Sequence, residues 1–137
     1  MPYVVKAAIE DPKAKSFSFL RAKTMYGGKS IKAGDEIFVF ASEQDGGAGL
    51  VARGRVTQVE AVAPKKNVER QTPRVSIAVE REGGAPKQTF GRDRLKAWRG
   101  VDDGSPQAEL DFKFYRQATN KIGGISDEAA AFLRRLF

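Results

Sequence analysis

Two strand-like runs joined by a glycine-rich reversal constrain this chain most. Lys32-Ala33-Gly34-Asp35 launches the run Glu36-Ile37-Phe38-Val39-Phe40, the loop Glu43-Gln44-Asp45-Gly46-Gly47-Ala48-Gly49 reverses it, and Leu50 to Val62 returns. In the first run Ile37 and Val39 point one way and Phe38 and Phe40 the other, so the strand needs cover on both faces. The return run is long for one flat strand, whose usual length is ~5–6 residues. Gly54 in its middle predicts the bulge or sharp coil that barrels use. A closed or covered sheet is the expectation.

The flanking segments extend it. Tyr3 to Ile9 reads as a first strand ended by Asp11-Pro12, and Lys13 to Lys23 fits either a short helix or an alternating strand. Arg74 to Arg81 alternates, with Val75, Ile77 and Val79 on one face. Phe90, Leu95 and Trp98 mark an apolar stripe among arginines, and Val101 to Gln107 reads as a loop. Leu110, Phe112 and Phe114 alternate with Asp111, Lys113 and Tyr115, predicting a late strand, after which Gly123-Gly124 turns the chain. Ser126 caps a final helix whose inward stripe is Ala130, Leu133 and Phe137. The βαβ alternation of a parallel nucleotide-binding sheet is missing. The expected class is α+β: one domain over 1–137, a mixed and mostly antiparallel barrel of five to six strands with short flanking helices.

Composition then narrows function. The chain contains neither Cys nor His. That removes thiolate and Ser-His-Asp chemistry and His-ligated zinc. The available acids, Asp35, Glu36, Asp45, Asp102 and Asp103, do not form a two-metal pattern: Asp35-Glu36 opens a strand, where neighbours face opposite ways, and Asp102-Asp103 sits in a loop. A non-catalytic binding domain without a cofactor is expected. With no opening signal peptide and no apolar run near the ~20 residues that span a bilayer, a cytoplasmic protein without a membrane partner is expected.

The net charge of +7 and pI of about 9.8 favour a polyanionic partner. The excess is segmental: residues 1–34 carry +5, 35–64 carry −3, 65–99 carry +6 and 100–137 carry −1. If the two basic blocks meet, they form one phosphate-binding face. Lys23, Lys29, Arg53, Arg55, Arg92 and Arg94 are the candidate phosphate contacts. Tyr26 and Trp98 are candidate stacking surfaces, and Gln117 and Asn120 carry amides that read base edges. The alternative is a small-anion or metabolite sensor using the barrel mouth and the backbone amides of Gly27-Gly28 or Gly46-Gly47.

Several of these pieces occur together in a known superfamily. The Lys32-to-Asp35 turn feeding Ile37-Phe38-Val39-Phe40, the Gly49-to-Val62 strand with Gly54, the segment Phe112 to Gln117, and Asn120-Lys121-Ile122 leading to Ser126-Asp127-Glu128 resemble the PUA-like superfamily and its EVE, ASCH and YTH-type domains. The resemblance implies a pseudo-barrel that binds RNA or DNA, in some branches by enclosing a flipped, modified base in an aromatic pocket. Such a cage needs more than one aromatic, so Trp98 would need Tyr26, Tyr115 or a phenylalanine as partner.

Overall fold

The computed structural model describes residues 1–116 and 120–137. Six strands, β1 (Tyr3–Ala7), β2 (Ser16–Met25), β3 (Glu36–Ala41), β4 (Gly49–Ala61), β5 (Arg74–Arg81) and β6 (Lys121–Gly124), close into a barrel in the order β1-β3-β4-β5-β2-β6. β1 is parallel to β3 and β2 to β6, while the remaining pairings are antiparallel. Outside the barrel lie α1 (Arg92–Leu95), continued by a 3-10 turn over Lys96–Trp98, then α2 (Pro106–Phe114) and α3 (Asp127–Arg134). None of these helices is long and apolar enough to cross a membrane.

The two apolar faces of β3 explain the layering. Ile37 and Val39 fill the barrel with Val5, Ala52, Val56, Ile77, Val79 and Ile122. Phe38 and Phe40 face outward, where Phe90, Leu95, Leu110, Phe114, Ala129 and Leu133 cover them. Each large side chain so buried contributes roughly 1.5–3 kcal/mol, so β3 fastens the helices to the barrel as well as closing its core.

Gly54 serves a different purpose from the expected bulge. Register shifts occur on either side of it, between Val39 and Phe40 and between Val56 and Gln58, while Gly54 itself pairs regularly with Ile37 and Arg81. A Cβ there would lie 2.3 Å from the Glu80 carbonyl oxygen, so glycine permits the close approach of β4 and β5.

Three local expectations are corrected or resolved. The segment Lys13 to Lys23 resolves as strand from Ser16 onward: β2 points Phe17 and Phe19 into the barrel. The expected strand at Leu110–Tyr115 is instead the end of α2, which stops at Phe114 with Tyr115 as its C-cap. Ser105 Oγ accepts from the Ala108 N–H at 3.2 Å and Pro106 stands at the first turn, both helix-start signals. Leu110 and Phe114, one turn apart, are buried, whereas Phe112 is 51% exposed. Gly123 and Gly124 belong to β6 rather than a turn; a Cβ on Gly123 would meet the Phe114 ring at 3.0 Å. The last helix forms as expected, Ser126 Oγ accepting from the Ala129 N–H at 3.1 Å.

Candidate nucleic-acid interface

Lys6 interrupts the apolar strand β1. Its even register position sends the side chain outward, under the C-terminal end of α2, where it is only 3% exposed. Its Nζ donates to the Phe114 carbonyl at 2.7 Å and lies 4.1 Å from the centre of the Tyr115 ring. Burial holds this ammonium below the usual lysine range, partly offset by the Glu43 carboxylate. Glu43 in turn organises the neighbourhood: its oxygens accept from Tyr115 OH at 3.2 Å and from the Arg92 N–H at 2.6 Å. Burial, followed by the Glu43 charge, pushes the Tyr115 phenol up, so it remains a neutral donor.

A cleft of about 560 Å³ opens beside this group. Five cations line it, Lys6, Arg92, Lys96, Arg99 and Arg116, together with Tyr115 and Gln44. Asp111 is the one lining acid among the described residues, with Arg116 Nε 3.7 Å from its carboxylate. Lys6 comes from the first basic block and Arg92, Lys96 and Arg99 from the second, so the two blocks meet here.

Behind the cleft, barrel closure aligns more charge. Lys6 pairs with Lys121 across β1 and β6, Lys121 with Lys23 across β6 and β2, and Lys23 with Arg74 across β2 and β5. The residues that follow or precede them, Val5, Ile122, Ala22 and Val75, fill the barrel, so all four cations stand on its outer face. Lys121 is 2% exposed and its Nζ has no hydrogen-bond partner among the described residues. Burial and the neighbouring Lys6 bring it down to about 8.

The row ends at a second cavity of about 640 Å³, between β2 and the connection from β4 to β5. Arg21, Lys29, Lys65 and Arg74 line it with Pro64, Thr72 and Pro73. Arg74 Nη1 donates to the Arg21 carbonyl at 2.7 Å, which holds that arginine in place.

The expected site residues therefore divide. Arg92 lines the cleft, Lys23 is exposed on the row, and Lys29 lies in the second cavity. Arg53 and Arg55 are elsewhere, paired with Phe38 and Glu36 farther down β3 than Phe40, the partner of Lys6. Arg55 bonds Glu82 at 3.2 Å, and Arg53 stacks over the Phe137 ring at 5.6 Å. Arg94 points to Gln88, 3.5 Å away. Tyr26 packs on α2, 6.4 Å from the Phe112 ring and with Lys113 Nζ 5.0 Å above it. Trp98 is half-buried between the cleft residues Lys96 and Arg99 in sequence, and lines neither cavity. Asn120 has a left-handed backbone and its carbonyl accepts from the Lys23 N–H at 3.1 Å, while Gln117 lies outside the described residues.

Sequence reasoning missed Lys6, Lys121, Lys96, Arg99, Arg116 and Glu43 as site residues. A lone lysine inside the apolar run Tyr3–Ala7 was the available signal for Lys6. The amides of Gly46 and Gly47, suggested as anion donors, are spent within their own turn on the carbonyls of Glu43 and Ser42. The acids likewise hold local structure: Asp35 accepts from the Lys32 N–H, Asp103 from the Ser105 N–H, and Glu36 pairs with Arg134. No group of three or more acids able to hold a metal ion forms among the described residues.

No protein-family model matches the sequence, and no curated protein does. Solved structures match it closely in shape. Human THYN1 in complex with DNA containing 5-methylcytosine superposes with a TM-score of 0.65 at 17% identity, over 98% of this chain and 96% of that one. The DUF55 domain of human thymocyte nuclear protein 1 gives 0.65 at 16% identity, over 99% and 98%. An ASCH protein from Zymomonas mobilis gives 0.53 at 10% identity, over 98% and 94%. The likeness is one of fold: this chain has the PUA-like pseudo-barrel that EVE- and ASCH-type domains share.

Proposed function

We propose that the chain is a nucleic-acid-binding module whose contact surface is the cleft beside Lys6. The observation that carries this is the convergence of Lys6, Arg92, Lys96, Arg99 and Arg116 on one concavity with a single opposing acid among the described residues. The phosphate backbone supplies most of the affinity in such complexes through Lys and Arg. The cleft's volume falls within the ~300–1,000 Å³ that suits a small organic group such as one base. A base entering it meets Tyr115, one face of whose ring is already covered by Lys6. Tyr26 and Trp98 stand outside the cleft, so the reading rests on charge rather than on an aromatic cage. The fold neighbour bound to methylated DNA supports the same class of partner.

The test is a salt titration of binding to RNA and DNA oligonucleotides, with the lone tryptophan, Trp98, as fluorescent reporter. Each phosphate neutralised contributes a slope of roughly −0.7 for single strands in log affinity against log salt, so a slope of about −2 to −4 is expected. Lys96→Glu with Arg99→Glu should weaken binding at least tenfold. Arg55→Ala, at a guanidinium already engaged by Glu82, should change it less than about twofold. Salt-independent binding, or equal loss in both variants, would refute the assignment.

A small-anion sensor is the second reading, favoured by the buried Lys121 ammonium, which has no hydrogen-bond partner among the described residues. A stoichiometric, salt-insensitive anion retained through purification would replace the first reading with this one.

A further inference from the structure

The cleft and the second cavity lie at opposite ends of one row of cations, and this relation goes beyond a single binding pocket. Arg74, Lys23, Lys121 and Lys6 stand in register on four adjacent strands, all on the outer face of the barrel. Adjacent strands are ~4.8 Å apart, so the row spans roughly 14 Å. A nucleic-acid strand advances ~3.4 Å per nucleotide in stacked form, so the row matches about four nucleotides. Both ends are concave and basic: the cleft holds Arg92, Lys96 and Arg99, and the second cavity holds Arg21, Lys29 and Lys65.

The charges along the row are weakly compensated. Neither Lys6 nor Lys121 makes an ion pair with a carboxylate among the described residues, and Lys6 spends a proton on a neutral carbonyl. Charges held beneath the surface are screened less by salt than exposed ones. Lys23, exposed midway along the row, supplies a direct contact. Phe114 covers Lys6 and Lys121, so these two act as buried charge and not as direct contacts. A duplex keeps its bases stacked inside and presents only backbone to two such cavities, whereas a single strand can bend around this covered stretch and place a nucleotide in each.

We infer that the chain holds a single strand of about four or more nucleotides, laid across the barrel from the cleft beside Lys6 to the cavity beside Lys29 and Lys65. This rests on the nucleic-acid reading of the cleft. It adds a second binding site, a strand state and a minimum length.

The experiment is a length series of labelled oligothymidylates (dinucleotide, tetranucleotide, octanucleotide) and a duplex octamer, measured by fluorescence anisotropy on the intact chain. It is repeated on Lys23→Glu with Lys29→Glu and Lys65→Glu, all exposed side chains outside the cleft. Affinity should rise at least tenfold from dinucleotide to octanucleotide and exceed that for the duplex. The triple variant should lose most of that gain while binding the dinucleotide within about twofold of the parent. Salt-dependent dinucleotide binding with no gain in length, a gain surviving in the variant, or preference for duplex would each overturn the track and leave the cleft standing. Absence of binding at every length in low salt would overturn the cleft as well.

Discussion

Lys121 faces Lys6 across the pairing of β6 with β1, and Phe114 covers both: its carbonyl accepts from Lys6 Nζ at 2.7 Å and its ring centre lies 5.5 Å from Lys121 Nζ. Two like charges side by side beneath a helix destabilise the fold, and only one of them has a hydrogen bond among the described residues. Removing the unpartnered one should therefore stabilise.

Lys121→Met keeps the stem and deletes the buried amine, and a rise of a few degrees in Tm at neutral pH is expected. The sign of the pH dependence follows from the direction of the shift. The folded chain releases the Lys121 proton near pH 8, whereas the unfolded chain keeps it to about 10.5. Between those values the unfolded state binds more protons, so stability rises with pH; below about 8 the penalty is present in full. Thermal melts from neutral to alkaline pH should show this rise in the parent and a smaller one in the variant. A variant that melts lower at neutral pH would contradict the account.

Glu43 ties the turn Glu43–Asp45 to both α1 and α2 through the Arg92 N–H and Tyr115 OH. Glu43→Ala leaves both donors without this partner and should cost about 1–3 kcal/mol, while Tyr115→Phe should cost about 1. Because the two share one bond, the second change should add less than its own cost in a Glu43→Ala background. Urea denaturation of the four proteins measures the coupling, and strict additivity would show that the bond contributes nothing.

How much of this was readable follows from which contacts are local. The two-faced β3, the capped last helix and the glycine reversal depend on neighbouring residues and were legible. α2 was not: apolar residues at 110, 112 and 114 satisfy a strand period, while 110 and 114 alone satisfy a helical one. The Ser105-Pro106 cap decides between them. The two charge blocks were visible as counts, but their meeting in the cleft depends on Arg92, Lys96 and Arg99 folding back beside Lys6 of β1, and the row behind it depends on β6 inserting between β1 and β2. That closure is non-local, and it is what places Lys121 between Lys6 and Lys23. A lysine in a strand ordinarily reads as an outward, solvated residue; the apolar run around Lys6 was the signal against that reading, and the short segment around Lys121 carried none.

Acid should loosen the C-terminal helix. Arg134 grips Glu36 at the start of β3 through Nε and Nη2, with contacts of 2.5–3.1 Å. This hydrogen bonding holds the Glu36 carboxyl below its usual value of 4.5, despite burial acting the other way. Its contribution is thus present above that value and is lost as pH falls through the lower folded one. The pair is partly exposed, so about 1 kcal/mol is the expected size. Arg134→Ala should lower stability at neutral pH by that amount and shrink the loss on acidification, as followed by urea midpoints at neutral and acid pH.

Gly54→Ala tests whether barrel closure depends on the close approach of β4 to β5. The added methyl would lie 2.3 Å from the Glu80 carbonyl oxygen and 2.9 Å from Val79 Cγ1. Val79 can shift a side chain, but the Glu80 oxygen belongs to the β5 backbone, and moving it stretches the pairings of Gly54 with Arg81 and of Arg55 with Glu80. A loss of about 3 kcal/mol is expected, at the upper end of overpacking costs because backbone must yield. Gly84→Ala, where an added methyl meets nothing within 4 Å, supplies the control and should stay within about 0.5 kcal/mol of the parent. Equal urea midpoints for the two variants would mean that β4 and β5 can separate freely at this point, and that closure is set by the bulges flanking Gly54 instead.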